Sequence, residues 1–327
     1  VRAVSLIPAL VAITIVAAFI SLMIGEVSLP FGRIIGGLFG QGGRADILIM
    51  QEIRLPRTTA AFLTGGALGM SGAALQGLLR NPLAEPGVLG VSAAAIFGAT
   101  LSIAFGLSAI PLALPAAATG GAVLATLLLA LLAARLRSVG GLLLVGIGLS
   151  SFIGALMSLT LSFAPDVFTL AEIVTWSFGS VTNRSWQDVG FALPFIFAGT
   201  AVLAGARRGL SVLALGEEAA SSLGLGLQRL RLNVVVGTGL ATGGAVALAG
   251  GIGFVGIVAP HLIRPLTGHD TGRSLLPSFL FGGTLLILAD IGVRLIPTGR
   301  ELQLGVLAAL IGAPVFIMIA ARGRIMR

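Results

Sequence analysis

Few residues in this chain could do chemistry, and the most conspicuous are arginines. Arg54-Leu-Pro-Arg57 sets two permanent charges around a proline at the mouth of a long apolar and small-residue run. A third arginine, Arg294, follows Ala289-Asp290 near the end of another apolar run. A planar guanidinium holds a carboxylate in fixed two-point geometry, which suits recognition of acidic groups better than lysine does. A plainer reading is that these arginines snorkel to a membrane interface and anchor helices. Asp290 is an acid inside an apolar segment, which marks it as a functional candidate or as a helix–helix hydrogen-bonding group.

Other chemistries are excluded by residue type. Cysteine and tyrosine are absent, so no disulfide, thiolate metal site or cysteine nucleophile can form. The histidines, His261 and His269, lie eight residues apart and match no usual metal spacing. Neither a Ser/His/Asp set nor a carboxylate pair stands out, so no catalytic residue and no metal ligand is assigned. Gly251-Ile-Gly-Phe-Val-Gly256 fits a dinucleotide fingerprint only as letters, because it sits between apolar segments and not in a βαβ unit. The chain has no lysine, so it cannot carry a P-loop and cannot bind ATP that way.

The elements that must position the arginines are membrane helices. The chain has 327 residues, 56% hydrophobic and 10% charged, with a mean hydropathy of +1.08. Soluble domains carry about 25% charged residues, so this is the composition of a polytopic all-α membrane protein. The net charge of +8 does not suggest nucleic acid, since the arginines are spread singly or in pairs between apolar runs. Spanning-length runs occur at about 4–24, 56–79, 88–107, 111–133, 141–163, 189–206, 232–250, 275–295 and 303–321. The shorter piece Gly251–Ile263 brings the expectation to ten helices in one transmembrane domain over residues 1–327. The first run is read as a retained helix and not as a cleaved signal.

Ten helices put both termini on one side. With the termini in the cytoplasm, more arginines fall inside than outside, as the positive-inside rule requires. Arg54, Arg57, Arg294 and Arg300 then face outward. Gly65–Ala73 is similar to Gly237–Ala245, and the topology runs the two copies in opposite directions. An inverted internal repeat is a transporter habit, although two Gly/Ala-rich helices can also coincide by chance.

Two polar breaks stand out. Asn81-Pro-Leu-Ala-Glu-Pro-Gly87 ends one helix and forces a turn. Leu215-Gly-Glu-Glu-Ala-Ala-Ser-Ser-Leu-Gly-Leu-Gly226 reads as one or two short helices at about 214–228 on the cytoplasmic face. Acids beside a small apolar surface suit docking onto another protein.

Taken with Ser71-Gly-Ala-Ala-Leu-Gln-Gly77, Gly253-Phe-Val-Gly-Ile-Val-Ala-Pro-His-Leu-Ile-Arg264 and Gly312-Ala-Pro-Val-Phe316, these motifs resemble one family across nearly the whole chain. It is the FecCD-type permease subunit of the bacterial ABC importers for haem, ferric siderophores and vitamin B12. The resemblance implies a type II importer permease in the inner membrane, working as a homodimer. Its partners would be two ATP-binding subunits and a periplasmic substrate-binding protein. The chain itself would be no enzyme and hold no permanent cofactor. Arg54, Arg57 and Arg294 would be sockets for acidic groups of the binding protein. Asn81 and Leu83, with Val139 and Gly140, would form the cytoplasmic gate. Gly216, Glu217, Glu218, Ala219, Leu223 and Gly224 would couple to the ATPase. Details around Leu75–Pro82 and Trp176–Gly179 look most like haem importers, so haem is the expected substrate. A ferric siderophore or a corrinoid is the alternative, and an ion-coupled carrier is the alternative of a different class.

Overall fold

The computed structural model describes residues 3–25, 27–136, 139–296 and 302–322. Among them the regular structure is helical. The long helices are α1 (Ala3–Met23), α4 (Leu55–Leu78), α6 (Ala113–Arg135), α7 (Val139–Ser162), α9 (Trp186–Gly205), α12 (Leu227–Ala249), α14 (Thr271–Leu295) and α15 (Leu304–Arg322). Shorter pieces join them: α2 (Phe31–Leu38), α3 (Arg44–Leu48), α5 (Val91–Ala104), α8 (Val167–Ser177), α10 (Arg207–Leu213), α11 (Glu217–Ser222) and α13 (Val255–Ile263). All ten apolar segments expected from the sequence are helical, but their lengths differ. Among the described residues, six helices are long and apolar enough to cross a membrane, namely α1, α6, α7, α9, α12 and α14.

Side chains sort as lipid solvent requires. Large apolar groups point outward, as Leu124 at 70% exposure, Leu144 at 71% and Phe197 at 71% show. Most buried positions of α4 and α12 are Gly, Ala, Ser and Thr. Lipid tails are as apolar as leucine, so burial does not select large residues; close backbone packing holds the bundle instead. A Cβ added to Gly72 would lie 1.9 Å from the carbonyl oxygen of Gly256, and one on Gly65 would lie 2.2 Å from that of Gly282. Gly72→Ala should therefore cost about 1–3 kcal/mol through forced separation of α4 from α13. Its thermal midpoint in detergent should fall measurably, whereas Gly120→Ala, in open space, should leave the midpoint unmoved.

Contacts between helix ends fix the direction of each helix. At one end, called upper, the start of α4 meets the ends of α1 and α14 through Arg54 and Arg294. The start of α9 joins them where Trp186 Nε1 donates to the Gln51 carbonyl at 2.7 Å. At the lower end, Gly77 of α4 abuts Thr271 of α14, and Gln228 of α12 donates to the Ala134 carbonyl of α6 at 2.8 Å. Thus α4 runs downward and α12 upward, as an inverted repeat demands. Each central helix packs across the chain: α4 against α13 and α14, α12 against α5 and α6.

The segments following α4 and α12 are broken. α5 has 14 residues and α13 has 9, too short to span. Both begin inside the bundle after a residue with left-handed backbone, Gly90 (φ +79°) and Phe254 (φ +67°). The expected run 88–107 is thereby shortened, because Pro86–Leu89 forms a 3-10 turn before α5. Irregular backbone at membrane depth is tolerated where protein surrounds it or a cavity adjoins it.

Candidate functional site

Two of the three arginines expected as sockets, Arg57 and Arg294, converge on one acid, Asp290. Arg57 and Asp290 are 233 residues apart in sequence, yet Arg57 donates from Nε at 3.0 Å and from Nη2 at 2.8 Å to Asp290 Oδ1. Arg294 lies one turn beyond Asp290 on α14 and pairs with Oδ2 at 2.8 Å. It also donates to the Ser21 and Ile24 carbonyls at the end of α1. Arg54 donates to the carbonyls of Leu22, at 2.7 Å, and of Val27. The last carbonyls of α1 have no partner within their own helix, so these arginines satisfy and charge-complement its C-terminal end.

Burial corrects the sequence expectation for these residues. Arg54 is 5% exposed and lies over Gly25, where a Cβ would come within 2.7 Å of the guanidinium. It is a cap on α1 and presents no free fork outward in this conformation. Arg57 and Arg294 side chains are 14% and 9% exposed, against 2% for Asp290. Among the described residues, Arg57 and Arg294 share the one carboxylate of Asp290 just below the upper surface. Arg300, also expected there, lies outside the described residues.

At the lower end, Asn81 closes a tight turn: its Oδ1 accepts from the Leu83 amide at 2.9 Å. Leu83 is 43% exposed beside it. The following turn packs on α7, where a Cβ on Gly146 would meet the Val88 carbonyl and Ser150 Oγ donates to the Gly87 carbonyl at 3.2 Å. The structure thus brings α7, which starts at Val139 and Gly140, against the segment carrying Asn81 and Leu83. Gly140 is exposed with nothing near its Cα face; the side chain of Val139 lies outside the described residues.

The break at 214–228 contains one short helix, α11, entered through Gly216 (φ +110°) and left through Gly224 (φ +83°). Ala220 is fully buried and anchors it. Glu218, Ala219 and Leu223 face outward, with Leu223 at 68% exposure. Glu217 differs from the expectation of an outward pair, since its carboxylate turns in to Arg231 of α12 at 3.1 Å.

Sequence reasoning missed Asp270. It caps α14, accepting from the Arg273 amide at 3.1 Å, and it also accepts from Ser211 Oγ of α10 at 2.6 Å. Partial burial opposes its ionisation, but the bonds from Ser211 and the Arg273 amide outweigh this and hold the carboxyl below its ordinary 3.8. A lowered folded value means that its contribution is complete above the unfolded value and vanishes as pH falls through the folded one. Asp270→Ala should cost about 1 kcal/mol near neutrality. The gap in thermal midpoint between the two proteins should close as the pH is taken below about 4.

Known proteins bear directly on this arrangement. The model of the FecCD transport family matches residues 13–322. The chain belongs to the FecCD transport family. It is 43% identical over 296 residues to the uncharacterised ABC transporter permease protein YvrB of Bacillus subtilis, covering 88% of this chain and 82% of that one. It is 40% identical over 312 residues to the vitamin B12 import system permease protein BtuC of Klebsiella pneumoniae, covering 95% and 91%. A metal-chelate type ABC transporter solved in an inward-facing conformation superposes with a TM-score of 0.85 at 31% identity, covering 98% of this chain and all of that one. This FecCD chain is therefore an ABC importer permease with a multi-pass membrane fold. Its relatives are transporter subunits, and they favour the corrinoid alternative over haem.

Proposed function

We propose that this permease passes a corrinoid across the bacterial inner membrane, as a homodimer between two ATPase subunits and a periplasmic binding protein. The observation that carries the substrate is the similarity to BtuC, at 40% identity over 95% of the chain. Haem, the expectation from local motifs, becomes the second reading, and a ferric siderophore the third. The large planar macrocycle is common to corrinoid and haem, so a few residues around Leu75–Pro82 discriminate poorly between them.

The lower end is taken as cytoplasmic. Arg80, Arg135, Arg207, Arg208, Arg229, Arg231, Arg264 and Arg273 gather there, against Arg33, Arg44, Arg54, Arg57, Arg184 and Arg294 above. Both termini would then be cytoplasmic. The outward ridge of α11 suits the ATPase, and the gate reading for Asn81 and Leu83 is supported by their exposed turn. The second copy would cover the open face of α7, where Gly140, Gly148 and Gly154 have no neighbour and Leu144, Phe152 and Leu159 are exposed. At the upper end the arginines would attract the acidic lobes of the binding protein through their field, while Arg57 and Arg294 stay tied to Asp290. Such fields act on encounter rate and orientation more than on affinity.

The test is uptake into liposomes containing the permease and ATPase, with cyanocobalamin, haem or a ferric hydroxamate offered on its cognate binding protein. ATP-dependent accumulation of cyanocobalamin above the other two is expected. Preferential uptake of haem would overturn the corrinoid assignment, and absence of uptake for all three would overturn the importer assignment in this form.

A further inference from the structure

The turn carrying Asn81 and Leu83 is gripped from both sides by the other half of the chain. Gln76, on the last turn of α4 and 1% exposed, donates from Nε2 to the Gly256 carbonyl at 3.1 Å. Glu85, after the turn, accepts from the Phe254 amide at 3.3 Å. Both partners belong to the first turn of α13, and Phe254 holds the left-handed backbone that side chains rarely adopt. The turn is closed onto the same frame by the Asn81 amide, which donates to the Gln76 carbonyl at 3.2 Å.

From this geometry we infer that Gln76 and Glu85 form a two-point clamp that makes the Asn81–Leu83 turn move with α13. The reading rests on the importer function proposed above. What gives the clamp a purpose is where α13 leads. It continues through Arg264–Thr267 to Asp270, which caps α14 and takes a hydrogen bond from Ser211 of α10. α10 leads in turn to α11, the outward ridge at the lower end. A displacement at α11 therefore reaches the turn through bonded and packed elements, which is the physical content of coupling between sites. Both side chains are positioning residues: they act through the turn.

The test uses the assembled importer in liposomes and measures substrate taken up per ATP hydrolysed. The double variant Gln76→Ala with Glu85→Ala should lose about tenfold of that ratio while its ATPase rate stays within about twofold of wild type. Glu85→Gln keeps an oxygen that can accept from the Phe254 amide and should retain the ratio. An unchanged ratio in the double variant, or a Glu85→Gln defect equal to that of Glu85→Ala, would overturn the clamp. Hydrogen exchange on the purified permease separates this from failure of the importer reading. Exchange at residues 81–84 should quicken in the double variant while that of α4 stays fixed. Unchanged exchange overturns the clamp whether or not the wild type transports.

Discussion

Replacing Asp290 with alanine should lower the thermal midpoint of the purified permease by roughly 5–15 °C, corresponding to about 3–5 kcal/mol. The reason lies in what remains. Arg57 and Arg294 each pair with this carboxylate, which is nearly inaccessible. Without it, Arg57 and Arg294 lose the carboxylate they share at the junction of α4 and α14, within the field of Arg54. The penalty of stranded buried charge exceeds the value of the bond itself, so removing one arginine as well should restore part of the loss. Asp290→Ala with Arg57→Ala is therefore expected to be more stable than Asp290→Ala alone. A single variant within about 2 °C of wild type would show that the cluster is solvated and the burial argument wrong.

The same cluster shows where the sequence is legible and where it is not. Helix existence follows from apolar length, so α1, α4, α6, α7, α9 and α15 fall within a few residues of the runs that announce them. The elements missed are short or interrupted. α2, α3 and α8 have 8, 5 and 11 residues, and the chain enters α4 through a six-residue π-helical stretch, Ile49–Arg54. Such pieces are held by tertiary contacts: the Arg33–Asp46 pair, at 2.7 Å, ties α2 to α3, and no periodicity reveals it. Arg54 and Arg57 were legible as unusual charges at a membrane mouth. Their partners were not, because Asp290 lies on another helix and the α1 carbonyls are present in every sequence. Residue types announce a charge; only the fold says whether it faces solvent.

That distinction bears on how the upper end can recognise anything. Were Arg54 a free socket, its loss would weaken docking and leave the fold alone. As a cap on α1, it makes docking and local stability change together, and a transport defect alone would not identify a socket. Rim ion pairs contribute about 0–1 kcal/mol each, so the internal roles of these arginines outweigh any single contact they could make outward.

The lower end separates the two kinds of role more cleanly, because neighbouring acids on α11 face opposite ways. Glu218→Arg combined with Leu223→Asp changes an outward ridge that other residues attach to the bundle: Ala220 is buried beneath it, and Glu217 ties it to Arg231. The expected result is loss of ATPase copurification, about tenfold or more, with no change in the permease's thermal midpoint. Glu217→Arg should do the reverse in its first effect. It sets a positive charge against Arg231, whose side chain is 8% exposed, and should lower the midpoint before any partner is present. Raised salt should weaken ATPase retention by the wild type only modestly, because Leu223 would give the proposed contact an apolar centre that salt does not screen. Should the ridge variant copurify as wild type while Glu217→Arg alone loses the ATPase, the contact would lie on the inward side of α11, and the docking surface would have to be sought near Arg231 and Arg229 instead.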